Sequence, residues 1–370
     1  MKVLFINVVC GIKSTGRIVT DLAQKYMDEG HEVKIAYGRE NVPEKYKSVS
    51  YRIGKDKDII INALKARLFD NEGFNAAKQT ESFIEWANSY DPDVLWLHNL
   101  HGYYLNIEQI FKWIKSRSHM EVRWTLHDCW AFTGHCSHFC MVECEKWKRQ
   151  CQNCSQIKAY PSSLCRDRSA LNYQQKKELF CGVKNMKIIT PSYWLASLVK
   201  QSFLKEYQVM VINNKIDHHV FKPTKGDFRI QNGLQDKKIV LGVASCWIKE
   251  KGLEDFVNLA SMLDDRFKIV LVGVSPKQKK ELSPLVLGIE KTDSSKQLAE
   301  IYTAANVFVN LSYQESYPTV NLEAQACGTV CLTYATGGAP ETVSTEFVVE
   351  QGNLIEMADK IKKVCLEGKL

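Results

Sequence analysis

The densest concentration of usable chemistry is the segment Gln314-Glu-Ser-Tyr-Pro-Thr-Val-Asn-Leu-Glu-Ala-Gln-Ala-Cys-Gly328. Pro318 stands where a helix starts, a position that tolerates the missing N–H, and Gly328 stands where it stops. A helix start presents unbonded N–H groups and the positive end of the dipole, so Thr319, Val320 and Asn321 can cradle a diphosphate without a glycine-rich fingerprint. Glu315 falls in the loop before the helix and Glu323 one turn inside it. Two carboxylates across such a junction can hold two parts of one ligand, such as a sugar and a ribose. Read without their surroundings, they fit better as a helix cap (Glu315) and a solvated surface residue (Glu323), and it is the surroundings that favour a ligand.

Other residues point to the same kind of ligand. Ser245-Cys-Trp-Ile-Lys-Glu-Lys-Gly252 places Lys249 and Lys251 in a turn before a helix, where an ammonium suits a phosphate as a point charge. Gly11-Ile-Lys-Ser-Thr-Gly16, followed by Arg17, joins the first strand to the first helix, where Gly11 and Gly16 let the backbone come close to a ligand or simply make a tight turn. It matches neither the P-loop nor G-x-G-x-x-G. His98, His101 and His127 fall at strand ends, the ligand-binding edge of a doubly wound sheet. A cysteine-rich stretch follows. Cys151-x-x-Cys154 is a half-site that Cys136 (or Cys140) and Cys144 can complete as structural zinc, or the thiols can pack unbound against Trp130, Phe132 and Trp147.

The elements that must position these residues show in the hydrophobic pattern. Buried strands are expected at 3–9, 33–37, 94–98, 122–127, 187–190 and 209–212, with a helix at 17–29. A second alternation starts at 239–243 and continues through 268–272, 307–309 and 330–333, ending in a helix near 353–367. Two α/β halves of the doubly wound type follow. The domains expected are 1–220, with an aperiodic insertion at about 129–165, a linker at 221–238, and 239–370. A chain of 370 residues with 45% hydrophobic and 25% charged residues can bury two cores. No apolar run reaches membrane-spanning length, and the start turns polar too early for a signal peptide, so a cytoplasmic location is expected. Thirteen cysteines and no export signal argue for thiols or a metal, not disulfides. The net charge of +7 fits anionic partners, and without a basic tail or a binding motif no nucleic acid is expected.

With these residues in view, the chain resembles the retaining glycosyltransferases of the GT-B fold, family 4, polysaccharide-biosynthesis type. The family's Glu-x7-Glu signature matches Glu315 to Glu323, its Glu-Ala-x-Ala-x-Gly matches Glu323 to Gly328, and its Gly-Gly-x-Pro-Glu matches Gly337 to Glu341. Gly30-His-Glu-Val33, Thr125-Leu-His-Asp128 and Thr190-Pro-Ser-Tyr-Trp194 are similar to further family segments. The resemblance implies two Rossmann-like domains facing each other across a cleft, the donor on the second and the acceptor on the first. It implies that Glu315 contacts the transferred sugar, Glu323 the ribose, Lys251 the diphosphate, and that His127 approaches the sugar. Cys246 stands where the family carries an arginine, with Lys249 as its substitute. The implied reaction is hexosyl transfer from a UDP- or GDP-linked sugar, with retention and no catalytic metal, to a glycan or lipid-linked acceptor in capsule, surface or exopolysaccharide synthesis.

The alternatives are a sugar-nucleotide epimerase of the same fold and a catalytically weak binding protein that uses the cysteine-rich stretch as its partner surface. The stretch Ile59 to Phe69, with Lys65 and Arg67, reads first as an ordinary surface helix and second as a peripheral contact at the inner membrane face. Family members usually carry further C-terminal helices beyond the point where this chain ends, so a shortened C-terminus is expected.

Overall fold

The computed structural model describes residues 1–368. The chain forms two compact units, Met1–Asn213 and Asn214 onward.

Unit 1 is a seven-stranded parallel sheet built from β1 (Lys2–Asn7), β2 (Glu32–Tyr37), β3 (Ser50–Arg52), β4 (Val94–Leu97), β5 (Glu121–Thr125), β6 (Met186–Thr190) and β7 (Val209–Val211), in the order β3-β2-β1-β4-β5-β6-β7. Between them run α1 (Lys13–Asp28), α2 (Asp56–Phe69), α3 (Ala77–Tyr90), α4 (Ile107–Ser116), α5 (Ser169–Phe180) and α6 (Tyr193–Val199). Parallel strands need crossovers, and helices on both faces bury both sides of the sheet. Alternation in β1 shows this: Leu4 and Ile6 join one core cluster, Val3 and Phe5 the other.

Unit 2 repeats the plan with six parallel strands: β8 (Lys238–Val243), β9 (Phe267–Val272), β10 (Val286–Ile289), β11 (Val307–Asn310), β12 (Val330–Tyr334) and β13 (Val348–Val349), ordered β10-β9-β8-β11-β12-β13. Its helices are α7 (Phe228–Gln231), α8 (Leu253–Met262), α9 (Pro276–Glu281), α10 (Ser295–Ala304), α11 (Thr319–Ala326) and α12 (Leu354–Lys362). Val240 packs on one face, Ile239 and Leu241 on the other.

Several boundaries differ from those expected. The stretch 221–238 is no linker: Phe221 and Leu234 are buried in the core of unit 2, and α7 lies within it. The division falls after Asn213 instead. Helix α1 begins at Lys13, not 17, because its first turn carries no apolar residue for periodicity to detect. Gly16 is therefore helical, not part of the loop. Strand β1 stops at Asn7, whose buried side chain donates to Val9 O at 2.7 Å and accepts from Asn99 N–H at 3.2 Å. The cysteine-rich stretch has 3₁₀ turns at Trp130–Phe132, Cys140–Val142 and Lys146–Lys148, packed by stacked Phe139 and Trp147. Among the described residues no helix is long and apolar enough to cross a membrane.

Candidate functional site

In unit 2 the strand order reverses between β8 and β11, and ligands of such sheets bind outside the carboxyl ends at that point. The loops leaving these two strands carry Lys251 and Glu315. Lys251 ends a 3₁₀ turn, Lys249–Lys251, and its Nζ lies 2.5 Å from Glu315 Oε1. Gly252 explains the proximity. Its φ is +72°, and a Cβ there would stand 2.2 Å from the carbonyl oxygen of Leu311, so only glycine lets the β8 loop lie on the end of β11. Tyr313 N–H then donates to Glu250 O at 2.8 Å. The pair stays accessible, with side chains 32% and 13% exposed. An ion pair of this kind adds little stability, but it holds two opposite charges ready at the ligand edge.

The loop to α11 is tied down on both sides. Gly338 N–H donates to Glu315 O at 3.1 Å, joining it to the turn Ala339–Thr342. Ser316 Oγ is buried without a hydrogen-bond partner among the described residues, a donor and acceptor available to a ligand that sequence reading missed. Asn321 is fully buried: it accepts from Asn310 Nδ2 at 2.9 Å and donates to Thr342 Oγ1 at 2.8 Å. Its backbone N–H reaches Pro318 O at 3.3 Å. Asn321 therefore anchors the helix start, and the expected cradle retains Thr319 and Val320, both half-buried, at its outer edge. Glu323 is 4% exposed and accepts the hydroxyl of Tyr302 on α10 at 3.0 Å. Burial and this carboxylate together drive the Tyr302 phenol well above its ordinary value. Tyr302 was not foreseen, since its partner lies twenty-one positions away. Cys246 and Lys249 are exposed on the β8 loop.

In unit 1 the corresponding reversal lies between β1 and β4. Gly11 (φ +71°) closes its loop by donating to Gly16 O at 3.1 Å, which sets the start of α1. Arg17 Nε donates to Lys13 O at 3.3 Å, and Lys13 pairs with Glu40 at 2.8 Å on the surface. Beyond β4 and β5, His98 Nδ1 lies 2.9 Å from His127 Nε2 with the rings stacked. Burial pushes both imidazoles down, His127 to about 4, so both are neutral at pH 7. His98 Nε2 is buried without a partner. A bare acceptor nitrogen is tolerated there better than an orphaned N–H. That favours a proton on His98 Nδ1, donated to His127, and leaves Nδ1–H of His127 as the donor the pair can offer.

Alongside lies a second chain of groups. His101 bonds Asp128 at 2.8 Å and the Tyr160 hydroxyl at 3.0 Å. Burial opposes the Asp128 charge, but His101, His138 and the Trp130 N–H outweigh it and bring its pKa to about 2. The turn carrying His101 has positive φ at both Gly102 and Tyr103. Buried Glu72 accepts both of their amides, at 2.6 and 2.9 Å. Burial raises the Glu72 carboxyl despite these bonds, and it lowers buried Lys176, which stands 3.4 Å over the Trp130 ring, to about 7. No periodicity marks Glu72 or Lys176 in the sequence.

The expected zinc set does not assemble: among the described residues no group of three or more His, Cys, Asp or Glu side chains is placed to hold a metal ion. Cys136 and Cys154 hydrogen-bond each other, which raises the first thiol and lowers the second, and Cys151 takes the Gly134 amide. All the cysteines are free thiols.

Comparison with known proteins matches this geometry. Residues 224–370 fit the family model "Glycosyl transferases group 1". A protein described as the colanic acid biosynthesis glycosyl transferase WcaC of Escherichia coli K12 is 27% identical over 228 residues, 59% of this chain and 55% of its own length. N-acetyl-alpha-D-glucosaminyl L-malate synthase of Bacillus anthracis is 26% identical over 206 residues, 51% of this chain and 53% of its own. The chain thus spans about half the length of these curated relatives. Among solved structures, sucrose-phosphate synthase of Thermosynechococcus elongatus superposes with a TM-score of 0.67 at 18% identity, over 98% of this chain and 89% of the other. Anabaena HepE in complex with UDP-glucose gives 0.66 at 16%, over 100% and 90%. These likenesses establish the GT-B class of fold, two Rossmann-like units in one chain.

Proposed function

We propose that this chain, whose residues 224–370 form a domain of the group 1 glycosyl transferases, moves a sugar from a nucleoside-diphosphate donor to a glycan or lipid-linked acceptor with retention of configuration. The observation that carries this reading is the Lys251–Glu315 pair at the sheet reversal of unit 2, with Glu323 one turn inside the helix that follows. HepE has been crystallised with UDP and with UDP-glucose, and a Campylobacter jejuni relative, 28% identical over 149 residues, is named for a diphospho-undecaprenol acceptor. The first supports a UDP-linked donor and the second a lipid-linked acceptor, and the colanic acid named for the Escherichia coli relative supports a role in polysaccharide synthesis, which in this reading takes place at the inner face of a membrane.

In this reading each residue has one task. Glu315 releases Lys251 when donor binds and accepts hydroxyls of the transferred sugar. Lys251, with the amides of Thr319 and Val320, neutralises the charge that grows on the diphosphate as it departs. Glu323, presented by Tyr302, accepts from the ribose. In unit 1, His127 offers a hydrogen-bond donor from a neutral ring to a sugar hydroxyl, and the Gly11–Arg17 segment offers contacts to phosphate. The attacking acceptor hydroxyl gives its proton to the departing phosphate, and no side chain is required as a nucleophile.

Calorimetric titration with UDP, GDP and their sugar conjugates tests the donor site. Micromolar binding of one nucleotide is expected, and Glu323→Ala should weaken it about tenfold or more, as loss of a charged hydrogen-bond acceptor implies. Well-folded protein that binds no nucleotide would sink the transferase reading.

A further inference from the structure

At the carboxyl edge of unit 1 the loop that leaves β2 meets the loop that leaves β4. Gly38 and Arg39 both donate their amides to Val8 O, at 3.2 and 2.9 Å. A Cβ on Gly38 would stand 2.2 Å from the Tyr104 side chain, so only glycine lets the two loops touch. Arg39 follows, and its Cδ lies 3.7 Å from the place a Cβ on Gly102 would occupy. It is half-buried, and among the described residues its guanidinium has no hydrogen-bond or ion-pair partner. The other half-buried arginines of unit 1 are all bonded: Arg52 to Asp56, Arg117 to Asp91, Arg123 to Glu121 and Arg168 to Gln175. The carboxylates around Arg39 are committed as well, Glu40 to Lys13, Asp128 to His101 and Glu72 to two amides. A guanidinium taken part-way out of water and left unpaired is a binding group that lacks its anion.

Tyr103 stands in the same pair of loops on a strained backbone. Its φ is +70°, a region that a bulky side chain avoids. Three bonds hold it there: Glu72 accepts the amides of Gly102 and Tyr103, and Asn62 donates to Tyr103 O at 3.1 Å. Strain that the surroundings over-determine in this way clusters at functional positions. The Tyr103 ring packs edge-on to Tyr160 at 6.3 Å, and its hydroxyl bonds no described residue. Burial and Glu72 push this phenol up to about 12 against the charges of Arg67 and Arg39, so it keeps its proton and can donate.

We infer that Arg39 and Tyr103 form an oxyanion subsite on unit 1 that holds a phosphate of the acceptor. The guanidinium fork takes two oxygens and the phenol donates to a third, one more donor than a carboxylate has oxygens for. Glu72 and Asn62 are positioning residues, which hold Tyr103 in place without touching the ligand. The subsite sits in the loop that also carries His101, so a phosphate-bearing acceptor bound there would have its uncharged part free to reach the neutral histidines at the ends of β4 and β5. This deepens the lipid-linked acceptor reading and rests on it, while its test stands apart from nucleotide binding.

The test uses the whole chain saturated with UDP, so that the donor site is filled, and follows the phosphorus NMR linewidth of added inorganic pyrophosphate at physiological salt. Broadening that reports saturable binding is expected with wild type. Arg39→Gln should weaken this binding about tenfold or more, through loss of a charge-assisted fork. Arg39→Lys should recover it only in part, since a point charge replaces the fork. Tyr103→Phe should weaken it about fivefold, through loss of one neutral donor. Circular dichroism and UDP affinity of all three variants should match wild type. The inference is overturned if pyrophosphate does not bind the UDP-loaded protein, if Arg39→Gln binds it as wild type does, or if glucuronate binds as tightly. It is also overturned if Arg39→Gln weakens UDP as much as pyrophosphate, since the anion held would then be the donor's. Failure of UDP to bind wild type would instead strike the transferase reading, and pyrophosphate binding that Arg39→Gln removes from the unliganded protein would still establish the subsite.

Discussion

The two carboxyl edges use opposite electrostatics. In unit 2, Lys251 and Glu315 keep their charges half-open to solvent and paired at 2.5 Å. In unit 1 nearly every titratable group near the strand ends is buried and shifted toward its neutral form: His98 and His127 down, Glu72 up, Lys176 to about 7. Asp128 is the exception, held ionised by its bond to His101. An open ion pair can exchange partners with a charged ligand at little cost, whereas a buried neutral network can only orient hydrogen bonds. Unit 2 is thus suited to bind and stabilise charge, and the buried network of unit 1 to position uncharged hydroxyls.

The sharpest way to break this contrast is to remove the charges on the open side. Glu315→Ala and Lys251→Ala should each lower the turnover of sugar transfer by about a hundredfold or more, the scale for a group that acts on developing transition-state charge. Glu315→Ala should leave UDP affinity within a few-fold of wild type. Steady-state kinetics with separate calorimetry distinguishes the two effects. If either substitution changed only KM, the pair would be a binding device and the division of labour between the units would be wrong.

A smaller effect is expected on the buried side, at Glu72. Its carboxyl is raised above the ordinary value of 4.5, so between that value and its folded one the native state holds the proton more tightly than the unfolded chain. Stability therefore falls as pH rises through this window. Glu72→Gln keeps an oxygen for the amides of Gly102 and Tyr103 and carries no charge. Its melting temperature should equal wild type near pH 4 and exceed it at pH 7, at roughly 2–4 °C for each kcal/mol in a unit of this size. A variant less stable at both pH values would show that the carboxylate charge itself supports the turn.

Those two sites also differ in how far they could be read from sequence. The bracket of Pro318 and Gly328 around α11 was legible because helix ends are chosen by local backbone chemistry, and Glu315 and Glu323 came with it. Their surroundings were not. Tyr302 meets Glu323, and Asn310 meets Asn321, only after parallel strands and their crossovers are assembled. Asn321 looked like a ligand contact and is a buried anchor. The polar stretch 221–238 looked like a linker, although two apolar side chains were enough to draw it into a core. Glu72 and Lys176 carry no signal in hydrophobic pattern at all. The cysteine spacing suggested a metal, but spacing alone does not set the ligand geometry that a metal ion needs, and among the described residues no group of three or more provides it.

The finest test concerns the imidazole pair. His127 is lowered to about 4 by burial, which disfavours its charged form, so the unfolded chain takes up the proton first as pH falls from the ordinary 6.5. The pair's contribution to stability is present above that value and is lost as pH drops toward 4. The Hε1 resonance of His127, assigned by comparison with His127→Gln, should stay at its neutral position through pH 6 and move only near pH 4. A midpoint near 6.5 would mean that the ring is hydrated and charged in mild acid, and the pair would then offer a cation to the ligand as unit 2 does. A late midpoint would keep the His98–His127 pair as a neutral donor to an uncharged sugar hydroxyl, the role the buried edge is built to perform.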